Sequence, residues 1–494
     1  MIFLSFIILF INATIPILFA AVQPLVWSFY NICMIAAFII FLWQRRMIPP
    51  FFILRAPVNF TVGIFFFVTL TLCIPLPDFI VSVLSPVRYA TNSTTWKLTG
   101  VINEWQTLSY SSLNALAWWS FLLSLFFYFF VVRFICAERK TLYVVLSTMI
   151  GLGIVEAFYG LIQALVPSMG VLWVDYVHDY MGNARGTFIN RNHFAGFVEM
   201  IWPLTLGYTM AMTDRGHSFR KAMSYDFLNR QALMALGIVV MLLALLLSRS
   251  RAGIAGGLIG LLTFWCMARP TIRRITLPTR FLMGGIVIVL SIYCMIIGVD
   301  SIFERFLLID DANSRIDIWR DSLSILKEHP LGIGLRNYET VFKVYNQNFA
   351  SDRTVTYAHN DYLQLLIETG WIGFVSLIGG FVFFIGKSYS RIRRLDGKDD
   401  PMRFFLAIGA FSGIISLVFH SFFDFNLQIP ANCLYFVALM AILSSCTEHV
   451  KRSQRFANKT MKKTNLVGRG SMARLWQFRK SKYQRHELYN SYEQ

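Results

Sequence analysis

Charged side chains are scarce in this sequence. Asp, Glu, Lys and Arg make up only 15% of the 494 residues, whereas hydrophobic residues make up 56%. A soluble globular domain carries about a quarter charged residues, so the composition excludes that class and predicts an all-α polytopic membrane protein. Because a bilayer core of ~30 Å needs about 20 apolar residues per crossing helix, we expect about twelve transmembrane helices. They fall at 3–22, 25–43, 58–84, 113–135, 141–165, 194–212, 231–248, 252–268, 281–299, 362–386, 403–420 and 429–447.

Two of these apolar stretches have distinctive features. Pro75 and Pro77 lie near the end of the third stretch, so this helix should kink or end early. The first stretch has almost no positive charge before it and is followed directly by the second. That arrangement indicates a retained helix and not a cleaved signal peptide.

Several catalytic signatures are also missing. The chain has no G-x-x-x-x-G-K-[ST] phosphate loop, no G-x-S-x-G elbow, no H-E-x-x-H motif and no Asp-x-Asp pair. These absences argue against ATP-driven coupling and against a soluble glycosyltransferase that binds a metal–nucleotide. None of the seven cysteines lies in a predicted outer loop or has zinc-site spacing to a histidine. We therefore expect no disulfide framework, no metal and no cofactor.

Acidic residues are few, with 27 Asp and Glu against 45 Lys and Arg, which gives a net charge of +18. With the N-terminus in the cytoplasm, every loop assigned to the cytoplasm is basic, as the positive-inside rule requires. The excess charge therefore reflects topology, and we expect no nucleic-acid partner. Residues 448–494 are basic and poor in aliphatic residues, which predicts a partly disordered cytoplasmic tail that lies on anionic membrane lipids.

Two predicted outer segments, 85–112 and 300–361, are long. Within the second, apolar residues recur at helical spacing from Ser314 onward. The His329-Pro-Leu-Gly-Ile-Gly334 sequence then predicts a turn, and helical spacing resumes after it. The sequence therefore predicts a long helical hairpin in the outer, periplasmic loop.

Arg249 and Arg251 lie at the junction of two predicted helices. A guanidinium stays charged and binds two phosphate oxygens at once, so this junction is suited to hold a phosphate. The alternative is that both side chains extend to lipid headgroups at a helix end, and composition alone favours it. Arg315 in the predicted hairpin could likewise bind phosphate or, as the alternative, belong to a solvated helix face.

His359 lies where the outer loop enters the tenth predicted helix. An imidazole can accept a hydroxyl proton near neutral pH, although a lone histidine is more often structural. Here Asn360 follows it, and Asp361, Gln364 and Glu368 share one helical face. A polar stripe that enters a membrane helix is costly unless it lines a cavity, which favours a functional role for His359.

Two further polar clusters lie on the predicted outer side. Residues 182–196, which include Arg191, are rich in Gly, Asn and basic residues. Such a loop before a helix suits anion binding, or is a helix-entry turn capped by Asn. Between the last two predicted helices, His420 and Asp424 are interpreted as a structural pair.

Four motifs together resemble the O-antigen ligase and polymerase superfamily in order and spacing. They are Ser248-Arg-Ser-Arg251-Ala-Gly, Ser314-Arg315-Ile-Asp-Ile-Trp319, His329-Pro-Leu-Gly-Ile-Gly334 and His359-Asn-Asp-Tyr-Leu-Gln-x-x-x-Glu368-x-Gly370. Residues 186–196 are also similar to the segment that precedes the core helices of that family. The resemblance covers about residues 182–430, while the first 150 residues match only as hydrophobic helices.

The resemblance implies a GT-C-like membrane glycosyltransferase in the bacterial inner membrane with its active site on the periplasmic side. Such enzymes transfer a glycan from an undecaprenyl-diphosphate carrier, without metal or nucleotide, in surface polysaccharide assembly. The acceptor is lipid A–core or a growing glycan, and a third branch of the family glycosylates proteins. The implied organisation is N-terminal helices 1–181, a ligase-like core 182–447 with the outer loop 300–361, and the tail 448–494.

The same resemblance implies roles for individual residues. Arg251 and Arg315 match the two arginines that hold the donor diphosphate, with Arg249 and Arg191 as further candidates. His359 matches the histidine that activates the acceptor hydroxyl, which gives direct displacement with inversion at the anomeric carbon. Asn360, Asp361 and Glu368 are expected to support it.

A transporter or channel, for a small solute or a lipid-linked glycan, is the alternative. An even number of helices with polar residues inside them suits that class. The polar residues cluster at one face of the membrane, however, and the sequence predicts no pair of broken helices, which favours the enzyme.

Overall fold

A computed structural model describes residues 2–44, 57–100, 104–174, 181–213, 225–272, 310–347, 355–395, 397 and 399–466. The chain divides into two compact units, Met1–Thr447 and Glu448–Gln494. The predicted ninth stretch, 281–299, and residues 300–309 and 348–354 of the predicted outer loop lie outside the described residues.

Within those ranges the chain is almost wholly helical. The helices are α1 (Ile2–Thr14), α2 (Pro24–Gln44), α3 (Pro57–Thr71), α4 (Asp78–Leu84), α5 (Pro86–Thr99), α6 (Ser112–Ile135), α7 (Arg139–Leu165), α8 (Arg191–Thr213), α9 (Tyr225–Leu247), α10 (Arg251–Ile272), α11 (Asp310–Glu328), α12 (Tyr338–Tyr345), α13 (Asp361–Ile392), α14 (Pro401–His420) and α15 (Pro430–Leu466). Two short 3-10 helices span Phe19–Ala21 and Asn426–Gln428, and β1 (Leu76–Pro77) pairs antiparallel with β2 (Trp105–Gln106). The chain is an all-α polytopic membrane protein, as its composition predicts.

Eight of the described helices are long and apolar enough to cross a membrane, namely α2, α6, α7, α9, α10, α13, α14 and α15. Two shorter apolar helices, α1 and α3, and the interior helix α8 occupy three more of the twelve predicted positions. The first predicted stretch is too long, because α1 ends at Thr14 and a turn precedes α2. The third ends early, at Thr71, as the prolines after it predict. The last helix continues to Leu466, into the segment predicted to be a disordered tail.

The interior of the bundle is built on close contact between α8 and α14. A Cβ at Gly207 would lie 2.3 Å from the carbonyl oxygen of Phe405, and one at Gly413 would lie 2.4 Å from that of Met200. Helices in lipid associate through such small residues, because the backbones can then approach closely. Since other helices surround α8, it tolerates a buried Glu199 and an internal Pro203.

The helical hairpin predicted in the outer loop is confirmed in α11 and α12. Its turn docks on α13 where that helix is interrupted at Gly370, whose φ is +66°. The interruption frees backbone carbonyls: Ile367 accepts from Ile333 N–H at 3.2 Å and Glu368 from Gly334 N–H at 2.9 Å. The hairpin is thereby fixed to the start of α13, which carries the residues of interest.

We expect Gly370→Ala to destabilise the folded protein. An alanine normally stabilises a helix interior, but here its Cβ would lie 2.3 Å from the backbone carbon of Leu331. The positive φ adds about 1–3 kcal/mol of backbone strain. The measurement is the melting temperature of the purified full chain in detergent. Gly386→Ala is the matched control in the same helix, because nothing lies within 4 Å of its Cβ; equal melting temperatures for both variants would contradict the prediction.

Candidate functional site

Polar residues gather at one end of the bundle. The starts of α8, α10 and α13 meet there with the end of α14 and with the segment 421–429 that follows it. Backbone hydrogen bonds join these parts: Ala184 N–H donates to Leu247 O at 3.0 Å, and Asp361 N–H donates to Ser421 O at 2.9 Å. Segments that are far apart in the sequence therefore form one surface.

The backbone of His359 is strained and is held by its neighbours. Its φ is +48°, a left-handed conformation that a residue with a Cβ rarely adopts. On one side, Ala358 O accepts from Trp319 Nε1 at 2.9 Å and Ala358 N–H donates to Gln364 Oε1 at 3.2 Å. On the other, Asn360 caps α13 by accepting from two backbone N–H groups. Such strain persists where the surroundings over-determine it, which is common at functional sites.

The His359 imidazole faces a buried carboxylate. Its Nδ1 lies 3.4 Å from Asp424 Oδ1; the histidine side chain is 33% exposed and the aspartate only 1%. The same oxygen lies 3.9 Å from Nε2 of the buried His193. The ring of Phe425 packs edge-on against both imidazoles, with centroids at 5.0 Å and 4.5 Å. One face of His359 is therefore fixed and the other is open to solvent or substrate.

Asp424 lies outside the membrane-spanning helices and stays ionised. Burial alone would raise the pKa of its carboxyl, but the facing imidazoles of His359 and His193, together with the more distant His420, lower that pKa below its usual range. A depressed pKa means that the ionised carboxylate stabilises the fold at all pH values above about 4, the pKa of an unfolded Asp. That contribution is lost only as the pH falls through the lower folded-state pKa.

The polar stripe of α13 is buried and bonds to neighbouring loops. Asp361 Oδ2 accepts from Leu427 N–H at 2.9 Å. Glu368 accepts the backbone N–H groups of Arg336 and Tyr338, in the hairpin turn. These carboxylates tie the start of α13 to the segment that carries Asp424 and to the hairpin.

Arg251 is the first residue of α10 and is partly exposed. Ser250 caps this helix, because its Oγ accepts from Gly253 N–H at 3.3 Å. A Cβ at Gly253 would lie 2.5 Å from Ala195 Cβ and 3.4 Å from His420 Cε1. The start of α10 is thus packed directly against the end of α14, and Arg251 lies two residues before this contact.

Arg249 and Arg191 lie nearby in different settings. Arg249 is exposed in the turn before α10, with a φ of +52°. Arg191 is the first residue of α8, partly buried, and its Nη1 donates to Asn183 Oδ1 at 3.4 Å. It stands two residues before His193, so the predicted loop 182–196 does reach the site.

Arg315 reaches the site through the hairpin. It lies one helical turn before Trp319 in α11, and Trp319 bonds to the residue that precedes His359. Its charge acts electrostatically on the buried His420. Three distant motifs are thus linked to the end of α14: the motif of Arg251 by the packing of α10, Arg315 by its charge, and His359 by its contact with Asp424.

His420 and Asp424, predicted as a structural pair, act on each other electrostatically but form no direct ion pair. His420 Nδ1 instead bonds Glu199 Oε1 at 3.0 Å, with both side chains fully buried between α8 and α14. Asp424 turns toward His359 and His193. Because α14 ends at His420, Asp424 lies in the segment that follows the helix.

One cation near His359 was not anticipated. Arg336 follows the Gly332–Gly334 turn, with a φ of +60°, and its Nη1 donates to Tyr357 Oη at 2.7 Å. Tyr357 stacks on Phe425 with centroids 4.0 Å apart. In the sequence, the signal for a role of Arg336 is limited to its positive charge next to the turn glycines. Within the described ranges, no three His, Cys, Asp or Glu residues are grouped as a metal site.

Residues 236–378 match the model of the O-antigen ligase family. The chain resembles the O-antigen ligase and polymerase superfamily. The matched segment contains Arg249, Arg251, Arg315, His359 and Glu368, whereas His193 and Asp424 lie outside it. The exopolysaccharide production protein ExoQ of Rhizobium meliloti (strain 1021) is 25% identical over 182 residues, which cover 34% of this chain and 40% of that protein. The chain thus spans about two fifths of the length of this relative.

The buried Glu199–His420 pair gives a stability prediction. Removing one partner alone, as in His420→Ala or Glu199→Ala, should cost about 3–5 kcal/mol, because the other group is left buried without its partner. The double variant should cost clearly less than the sum of the two. Melting temperatures of the four proteins in detergent measure this coupling. The exposed pair Arg320–Asp317 is the control, and the coupling energy between its two substitutions should be under about 1 kcal/mol. If the stability losses at the buried pair were additive, the prediction would be contradicted.

Proposed function

We propose that the chain is a membrane glycosyltransferase of surface polysaccharide assembly that moves a glycan from an undecaprenyl-diphosphate carrier to an acceptor hydroxyl. One observation carries this proposal: the His359–Asp424 pair, the first turn of α10 that begins at Arg251, and the charge of Arg315 all act at the same end of α14. This transfer requires a general base to deprotonate the acceptor hydroxyl and fixed positive charge to stabilise the leaving diphosphate.

His359 acts as the base. Because its Nδ1 faces Asp424, its Nε2 is the nitrogen left to accept the proton of the acceptor hydroxyl. The ionised Asp424 stabilises the imidazolium that forms and fixes the orientation of the ring, as the buried aspartate does in a Ser-His-Asp triad. The freed oxygen attacks the anomeric carbon from the side opposite the carrier, so the configuration inverts.

Arg251 and Arg315 act on the leaving group. As the bond between the anomeric carbon and the diphosphate oxygen breaks, the electron pair leaves with the lipid diphosphate. Guanidinium groups pair well with phosphate oxygens and keep their charge, so these residues supply the stabilisation that a divalent metal gives to nucleotide donors. Arg249, in the turn before α10, and Arg191, at the start of α8, are further candidates to bind the same anion. Asn360, Asp361 and Glu368 support His359 through the hydrogen bonds that hold the start of α13.

The opposite end of the bundle supports a periplasmic site. There Arg139, at the start of α7, pairs with Asp400 at 2.9 Å, and Arg403 lies 3.5 Å from the same carboxylate. These arginines belong to the loops that the positive-inside rule assigns to the cytoplasm. The site therefore opens on the periplasmic face of the bacterial inner membrane, where the core 182–447 meets lipid-linked glycan and an acceptor such as lipid A–core or a growing glycan.

We expect Arg251→Ala and Arg315→Ala each to lower kcat by about 10²–10³-fold, the loss seen when one oxyanion donor is removed. The measurement is glycan transfer by the full chain in proteoliposomes supplied with undecaprenyl-diphosphate-linked glycan. Arg320→Ala is the matched control, since Arg320 lies on the same helix as Arg315 but is exposed and pairs with Asp317. Normal turnover by correctly inserted Arg251 and Arg315 variants would refute the proposed role.

Asp424→Asn should reduce kcat by about 10²–10⁴-fold, because the amide no longer holds or stabilises the His359 imidazolium. The KM for the lipid-linked donor should change little, since the arginines and not Asp424 bind the diphosphate. Steady-state kinetics in the same proteoliposomes separate the two constants, with Asp317→Asn as the control. A raised donor KM at unchanged kcat would assign Asp424 to substrate binding instead.

The species that accumulate in cells lacking the active chain identify the acceptor. Uncapped lipid-linked polymer indicates a ligase, and a single lipid-linked repeat unit indicates a polymerase. Loss of transmembrane movement of a solute or of lipid-linked glycan, with transfer intact, would favour the transporter class.

A further inference from the structure

Arg336 is a third guanidinium at this site with an unusually fixed position. Its Cζ lies 4.3 Å from the ring centroid of Trp118, a buried residue of α6, and 5.6 Å from that of Tyr357. Its Nη1 donates to Tyr357 Oη at 2.7 Å, and its backbone N–H bonds to Glu368. Two aromatic rings, one hydrogen bond and the strained turn thus hold the side chain in one orientation.

Most of its hydrogen-bonding capacity is unused. A guanidinium has five N–H donors, and Tyr357 Oη is the single acceptor of its side chain among the residues that the structure describes. The buried carboxylate of Glu368 acts on it electrostatically, but no carboxylate in those ranges lies within ion-pair distance of the guanidinium, and the side chain is partly exposed. A fixed, accessible guanidinium with spare donors is suited to bind a planar oxyanion in a bidentate manner.

Its location separates it from the two arginines assigned to the donor. The Tyr357–Phe425 stack stands between Arg336 and the His359–Asp424 pair. Arg251 begins α10, whose first turn packs on His420, and the charge of Arg315 acts on His420. In the proposed function the donor diphosphate lies by His420, which leaves Arg336, next to Tyr357, for the acceptor.

We propose that Arg336 binds a negatively charged substituent, a carboxylate or phosphate, on the acceptor glycan and so selects acidic acceptors. The assignment to the acceptor rests on the proposed glycosyl transfer. The binding itself does not, because it needs only the guanidinium, Trp118 and Tyr357.

The first experiment measures binding without turnover. The full chain is purified in detergent, and its melting temperature is followed with methyl β-D-glucuronide, methyl β-D-glucoside or sodium acetate at matched concentrations. We expect the glucuronide alone to stabilise the wild type, and Arg336→Gln to lose at least about tenfold in glucuronide affinity, the worth of one charged hydrogen bond. Arg336→Lys should recover only part of it, since an ammonium lacks the bidentate geometry.

Arg88→Gln is the matched control. Arg88 also lies over an aromatic ring, at 4.2 Å from the centroid of Tyr110, but its Nη2 donates to two backbone carbonyls in the outer segment. This variant should bind the glucuronide as the wild type does. Equal stabilisation by glucoside or acetate, or unchanged glucuronide affinity in Arg336→Gln, would overturn the proposal.

The second experiment uses transfer kinetics in proteoliposomes with acceptor glycans that differ only in a carboxylate. Arg336→Gln should raise the KM for the acidic acceptor about tenfold or more, leaving kcat and the neutral acceptor unaffected. An equal loss with both acceptors would mean that Arg336 only supports the fold. A wild type that binds glucuronide but transfers no glycan would overturn the proposed function and the assignment to an acceptor, while the anion site would stand.

Discussion

The buried carboxylate of Asp424 is the group on which the site depends. A charge with 1% of its side chain exposed is stable in a membrane protein only when it is paired. Here Asp424 accepts a hydrogen bond from Phe425 N–H at 2.9 Å, and two imidazoles from different parts of the chain face it, His359 before α13 at 3.4 Å and His193 at the start of α8 at 3.9 Å. Because both must approach Asp424, the start of α8 and the start of α13 are brought against the segment after α14. The same contact leaves one nitrogen of His359 available for chemistry.

Backbone geometry connects the outer hairpin to that centre. The interruption of α13 at Gly370 frees two carbonyls, and the turn between α11 and α12 bonds to them. Trp319 of α11 in turn bonds to the carbonyl that precedes His359. The hairpin is therefore bonded to α13 and to the residue before His359. It positions Arg315, Arg336 and the strained backbone of His359 as one rigid unit, which suits a reaction that needs charges fixed before the substrate arrives.

Fixed cations divide the site into two sides. Arg251 begins the helix whose first turn packs on the end of α14, the charge of Arg315 acts on His420 there, and Arg336 contacts Tyr357, which stacks on Phe425. A donor that carries a diphosphate and an acceptor that carries an acidic sugar would be held apart until His359 links them.

The sequence by itself determined the class of the protein and the residue types of its site. Scarce charge and repeated apolar stretches specify membrane helices, because lipid permits few polar side chains and requires the backbone to bond internally. The motifs around Arg251, Arg315 and His359 carry the resemblance to the O-antigen ligase family, which the family match supports. The tertiary structure alone decided the partners: Asp424 belongs to His359 and not to His420, Glu199 pairs with His420, and Arg336 joins the site. Those pairings depend on where α14 ends and how the 421–429 segment reverses. Helical spacing in one segment holds no information about which distant helix faces it.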